Sequence, residues 1–297
     1  MKNLLTFFCL VLLVSCSPTP EIPSDQLVER QGITYEVNSQ TPFTGSSVEY
    51  YLDTIIKNEF EERVLFKRTT YKNGIKDGLY ESYHKNGQLS STGNYKDGEV
   101  EGLYESYFEN GQLGSTGNYK DGGQDGLHET YYENGKIMST GNFKDGEVEG
   151  LWESNYENGQ LEQRYKDGVY KSYRESGQLW SQGKTKDGKK DGVHESFNEN
   201  DQLETESIFS EGKEMGVTKY SYYQNGQLEG KENFKEGKNH GPSVSYYENG
   251  ILSFMGNHKD GKHDGFQRFY SEDGDLDWKM CWKEGWDEGE DFSYCEK

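Results

Sequence analysis

From Gly78 onward polar and apolar positions alternate with period two, in short runs broken by glycines. In Gly78-Leu-Tyr-Glu-Ser-Tyr-His-Lys-Asn-Gly-Gln-Leu-Ser-Ser-Thr-Gly-Asn-Tyr-Lys-Asp-Gly98 two such runs flank Asn86-Gly87. Alternation of this kind predicts half-buried strands. Asn-Gly between them predicts a hairpin with a type I′ turn, because that turn needs positive φ at both central residues. Turn centres recur at Asn86, Asn110, Asn134, Asn158, Ser176, Asn200, Asn225, Asn249 and Asp273. The spacing is 24 residues except for 18 between Asn158 and Ser176 and 25 between Asn200 and Asn225. A fixed period of this length marks a repeat array. Between turns a second glycine pair recurs, as in Lys96-Asp97-Gly98-Glu99-Val100-Glu101-Gly102. It reads as the return that joins one hairpin to the next.

Counted from the turn Asn as zero, a two-residue loop pairs −2 with +3, −4 with +5 and −6 with +7, and paired residues share a face. One face then carries Tyr80, Ser82, His84, Leu89, Ser91, Gly93 and Tyr95, and the other Leu79, Glu81, Tyr83, Thr92 and Asn94. Position +3 is Leu or Ile in every repeat, from Leu89 and Leu113 to Leu276, and reads as the core stripe. Position −6 sets a ring against a strand glycine, Tyr80 on Gly93 and Tyr170 on Gly183, which restores lost packing. His128 and His194 hold the same slot and read as structural.

Position −3 is aromatic in Tyr83, Tyr107, Tyr131, Tyr173, Phe197, Tyr222, Tyr246 and Tyr270. Two readings of this ladder stand side by side. Its rings serve cross-strand packing, or they form a platform for a glycan or an extended peptide. The candidate binding residues are Tyr83, Tyr107, Tyr131, Tyr173, Tyr222 and Tyr246.

The pattern predicts an all-β fold: an elongated antiparallel β-meander of stacked hairpin repeats in a single-layer twisted sheet, on the order of 90 Å long at about 10 Å per hairpin. The short spacing predicts a lost turn and a narrowing around 161–168. The long one predicts a β-bulge near Val217 to Tyr220. Residues 33–297 make up the array, with a degenerate first repeat at 33–70 and a C-terminal cap at 278–297. Residues 1–15 read as a signal peptide and 16–32, with Pro18, Pro20 and Pro23, as a flexible tether.

Only 31% of the chain is hydrophobic and the net charge is −21, values that ordinarily suggest disorder. Here 23 Tyr and 5 Trp at fixed places in the period supply apolar area instead. The acidic balance argues against nucleic acid and anionic lipid headgroups as ligands and favours basic partners. Leu13-Val14-Ser15-Cys16, behind a short apolar run, resembles the lipobox of bacterial lipoproteins, and the resemblance implies lipidation of Cys16. That leaves Cys281 and Cys295 flanking Lys283–Gly289. In an exported protein they form a disulfide, or they remain buried free thiols.

No nucleophile set or phosphate loop has a fitting context. Asp273-Gly-Asp275-Leu-Asp277 mimics a calcium loop, but its sixth position is Trp278 and it aligns with an ordinary repeat turn. His240, His258 and His263 lack zinc-ligand spacing. The sequence therefore predicts no enzyme, no cofactor and no metal.

Tyr131-Tyr-Glu-Asn-Gly-Lys-Ile137 and Tyr246-Tyr-Glu-Asn-Gly-Ile-Leu252, each behind a Lys-Asp/Glu-Gly-x-x-x-Gly run, resemble the bacterial MORN-repeat variant family. So does Thr41-Pro-Phe-Thr-Gly45 followed by Tyr50-Tyr51. The resemblance implies stacked hairpins and roles as scaffolds or as antitoxin-like components. With the lipobox, the expected function is a lipid-anchored, non-enzymatic binding or scaffold module on the bacterial envelope, at the outer membrane, with a protein or glycan partner. The alternatives are a cell-wall or glycan-binding hairpin module, which shares the aromatic, Asn-Gly and Thr-Gly pattern, and an antitoxin-like component.

Overall fold

The computed structural model describes residues 20–51, 55–57, 60–62, 64–287 and 295–296, so Cys16 and the signal segment lie outside the described residues. Nearly every described element is a strand, and the strands follow one another as hairpins. None of the described helices is long and apolar enough to cross a membrane. The chain divides into two compact bodies. One takes residues up to His128 with Lys144–Gly146, and the other takes Glu129–Phe143 and the residues from Glu147 on.

In the N-terminal body Gly45–Tyr50, Leu65–Lys72, Ile75–Tyr83, Leu89–Lys96, Glu99–Tyr107 and Leu113–Lys120 pair antiparallel in chain order. Residues 20–32 of the expected tether are built into this body. Glu21–Pro23 pairs with Ser46–Val48, and in parallel, the exception to an otherwise antiparallel meander. Leu27–Arg30 then pairs with Ile33–Glu36. Proline is tolerated there because an edge strand can spare an amide. The C-terminal body is itself a meander from Glu147–Asn155 to Leu276–Lys283. The short repeat is where the sequence places it: Leu161–Lys166 and Val169–Tyr173 join through Asp167-Gly168 with an unbroken register and no second glycine. In the long repeat the register slips at Met215, slightly before the expected bulge, since Ile208 pairs with Gly216 and Phe209 with Glu214.

The two turn types are exchanged relative to expectation. Asn86 keeps a negative φ while Gly87 sits at 84°, the Gly87 amide donates to the His84 carbonyl (2.9 Å), and the His84 amide donates to Gln88 (2.8 Å). That is a type I turn closed by a left-handed glycine, a three-residue loop. The two-residue I′ turn is instead Asp97-Gly98, at φ 52° and 95°, with Asp121-Gly122 and Asp187-Gly188 alike. The second glycine of each pair is no turn. Gly102, at φ 78°, lies in a strand where the register slips between Glu101 and Glu105. Such a bulge needs the conformational freedom of glycine.

The longer loop shifts the pairing. Ser82 meets Ser91, but Tyr83 then meets Leu89, with Ser90 as the extra residue. The −3 ring and the +3 leucine, expected on opposite faces, are therefore cross-strand partners, as in Tyr107 with Leu113 and Tyr173 with Leu179. The leucines are no buried core. Among the described residues the buried apolar side chains are Phe43 and Val48 in the N-terminal body and Cys281 in the C-terminal body. A single layer has no second sheet to cover its leucines. Burial falls instead on small residues of the strands: Ser91, Gly93, Ser154, Gly183 and Ser243.

Candidate functional site

Within the N-terminal body the register lays out one face in lanes. Arg68, Glu81, Thr92, Glu105 and Thr116 form a row across successive strands, each opposite the next. Arg68 Nη1 donates to Glu81 Oε2 at 3.0 Å. Beside this row, in a second lane, lie Leu79 and Leu103, 42% and 49% exposed, and Leu127, 47% exposed, holds the same position in its own repeat. Leu79 lies opposite Asn94, and Leu103 opposite Asn118, so the cross-strand partner of each is polar. On the same face Asn94 is also opposite Glu101. The face thus offers apolar side chains bordered by carboxylates. Sequence reasoning missed this lane because it took the face as the polar one. The signal was present as Gly-Leu-x-Glu in four successive repeats.

The predicted ladder is a third lane, but its rings are half-buried rather than displayed. Several hydroxyls are already engaged: Tyr107 donates to Glu105 (2.8 Å), Tyr131 to Glu129 (2.7 Å) and Tyr222 to the Leu203 carbonyl (2.8 Å). Burial and the Glu129 carboxylate push the Tyr131 hydroxyl up to about 12. Burial and Glu81 likewise raise Tyr83. Tyr173 and Tyr246 hold the same register position against Leu179 and Leu252. The geometry matches the packing role.

Ring stacking runs in the −6 column. Tyr80 and Tyr104 stack at 6.5 Å, with Tyr95 and Tyr119 edge-on to them. The ring that covers each glycine comes from the following repeat: a Cβ on Gly93 would meet Tyr104 Cδ2 at 2.5 Å, and Gly117, Gly141 and Gly183 lie under His128, Trp152 and His194. The expected Tyr80 on Gly93 and Tyr170 on Gly183 are register partners, but the covering contact belongs to the next strand. His194 Nε2 donates to the Lys184 carbonyl (2.7 Å), and burial lowers its pKa, as it does for His128. Both histidines do structural work.

Position −2 carries a job the sequence did not announce. His84, Tyr132, Tyr156, Arg174, Tyr223 and Tyr247 each donate to the −3 carbonyl of the next repeat, at 2.7–2.8 Å. The turn asparagines add a parallel tie: Asn86 Nδ2 donates to the Glu109 carbonyl at 2.7 Å and Asn249 Nδ2 to Glu272 at 3.2 Å. At the C-terminal end Cys281 and Cys295 are disulfide-bonded, with Cα atoms 6.0 Å apart. Asp273 and Asp275 belong to a repeat turn closed by Ser271 and Gly274. Burial and the nearby His263 lower His258, whose ring lies 4.6 Å from that of His263.

No curated protein sequence matches the chain. Among solved structures it is similar to one titled TcdB2-TccC3-TEV, at 12% identity over 80% of this chain and 13% of that one, with a TM-score of 0.24. A porin-like protein from Bacteroides uniformis matches at 10% identity over 78% of this chain and 90% of that one, with a TM-score of 0.19. The chain thus spans about an eighth of the first of these structures. The MORN repeat variant model matches at 76–97, 100–121, 124–145, 148–165, 166–187, 217–236 and 239–260. These matches and the hairpin register describe one unit, and the chain is built on seven MORN-variant repeats.

Proposed function

We propose that the chain is a lipid-anchored, non-enzymatic binding module of the bacterial envelope, which presents the Leu79–Leu103–Leu127 lane to a protein partner carrying basic and apolar side chains. The observation that carries this reading is an apolar lane left about half exposed and bordered by Glu81 and Glu105. Exposed leucine gains nothing from the sheet itself, whereas covering it adds roughly 25 cal/mol per Å² of apolar area. The acidic border selects a cationic partner and discourages a second copy of a chain of net charge −21. The ladder tyrosines support a glycan platform less well, since their rings are half-buried and several hydroxyls are already engaged. The anchor rests on Leu13-Val14-Ser15-Cys16.

A photo-crosslinking residue placed at Leu103, and separately at Tyr104 on the opposite face, tests the surface in cells. Adducts confined to position 103 are expected, and adducts at 104 alone overturn the assignment. Labelling with a fatty-acid analogue tests the anchor, and label surviving Cys16→Ala sinks it.

A further inference from the structure

One repeat departs from the pattern at the positions that build the lanes. Regular repeats carry Thr92-Gly93-Asn94 and Thr116-Gly117-Asn118, whereas the repeat of the Asn200 turn carries Glu206-Ser207-Ile208. It falls between two stretches matched by the repeat model, 166–187 and 217–236. The register shows what the changes do. Glu206 lies directly opposite Glu195, and Ile208 directly opposite Val193. A Glu–Thr pair has become two carboxylates, and a Leu–Asn pair has become two aliphatic side chains, 48% and 49% exposed. Like charges set opposite each other on a sheet oppose folding, so the fold does not account for them. The next strand adds room. Ile208 pairs with Gly216, which puts no side chain on the floor, and the unpaired residue Met215 stands 48% exposed beside it. The result is an open cavity of about 320 Å³ walled by Ile208, Met215, Val217, Phe234 and Pro242, with Glu206 at its edge.

We propose that this cavity and the adjoining carboxylate pair form a docking site for a peptide segment of a protein partner, the cavity holding one bulky apolar side chain and Glu195 and Glu206 holding a neighbouring Lys or Arg. The proposal rests on the reading of this chain as a binding module. Charge selects the occupant. Two residues that border the cavity are already engaged: Lys219 Nζ sits 4.8 Å above the Phe234 ring of its wall, and His240 Nδ1 is 3.3 Å from Asp260 Oδ1. Lys235 is also part of the lining. Gln182 Nε2 donates to Glu195 at 2.7 Å, a neutral partner that leaves the charge in place. The Tyr220 hydroxyl is held above its ordinary value by burial and then by Glu206 and Glu195, which reports a negative field at this spot. A fatty acid would bring a third carboxylate to the pair. An incoming guanidinium or ammonium removes the repulsion, and its apolar neighbour covers Ile208 and Met215.

Methyl NMR on the full chain tests this with three blocked tetrapeptides: acetyl-Gly-Arg-Trp-Gly-amide, the same peptide with Ser for Trp, and the same with Glu for Arg. Millimolar Arg-Trp peptide is expected to shift the Ile208 and Met215 methyl signals, while the other two leave them in place. Glu206→Gln, Met215→Ser and Gly216→Val should each weaken the Arg-Trp response by about tenfold, the scale set by one lost contact of this kind. If Gly216→Val does not fold, the two surface variants carry the comparison. The proposal is overturned by silent methyls, by equal shifts with the Ser or Glu peptide, or by variants that respond like the wild type. Because the probe is a free peptide, this outcome is independent of crosslinking at Leu103. Either reading can fail alone.

Discussion

The Asn86 repeat of the N-terminal body and the Asn200 repeat of the C-terminal body are hairpins of the same build that differ where three residues follow position +5. In the first, Gly93 is required by a neighbour. Its backbone is ordinary extended strand, yet the Tyr104 ring from the following repeat occupies the space a Cβ would need. In the second, Ser207 stands at the equivalent place, opposite His194 on one side and Val217 on the other. From the following strand Ser207 meets Val217 where Gly93 meets a tyrosine, so a side chain is admitted. The difference teaches that two kinds of glycine punctuate the array. Gly98 and Gly102 are needed for their positive φ, and Gly93 for the room it leaves.

The largest effect should come from filling that room. Gly93→Val drives the Tyr104 ring off its seat and away from both the Tyr80 ring and Ser91, to which its hydroxyl donates at 3.1 Å. Overpacking of this kind costs about 3 kcal/mol. Ser207→Val, met by Val217 from the following strand, should cost less than about 1 kcal/mol. Urea titrations of the two variants giving equal losses would erase the distinction between the repeats.

Acid should act next. His128, His194 and His258 all have pKa values lowered first by burial. The unfolded chain therefore takes up protons that the folded chain refuses. Stability is full above about pH 6.5 and falls as pH drops from there through the lower folded values. Thermal melts from pH 7.5 to 5 should show this slope, and His194→Phe should flatten part of it.

Smaller still is the cost of Leu103→Ser, expected to be under about 1 kcal/mol because the side chain is half exposed, even as it weakens partner capture. A loss of several kcal/mol would show that the lane serves the fold. Smallest is Glu206→Thr, which restores the regular residue and relieves Glu195. It should stabilise the chain by roughly 0.5 kcal/mol, and a loss of stability in low salt would show that the pair is not repulsive.

The sequence by itself determined the strands, their order and the period, because alternation and turn chemistry are local and each repeat states them again. It also located the short repeat at 161–168, whereas the bulge expected near Val217 to Tyr220 lies at Met215. What it left open was which glycine turn is tight. Asn-Gly and Asp-Gly both suit a I′ turn. The choice follows from Asn86, whose Oδ1 accepts from the Gln88 amide and whose Nδ2 reaches Glu109 in the next repeat, a contact 23 residues away. That decision moves the register by one residue and sets Tyr83 against Leu89 instead of away from it. Only the tertiary structure could therefore show that the ladder tyrosines are half-buried while Leu79 and Leu103 are about half exposed. In a single-layer sheet burial is decided by the neighbouring strands, and hydrophobic pattern alone does not say which face they cover.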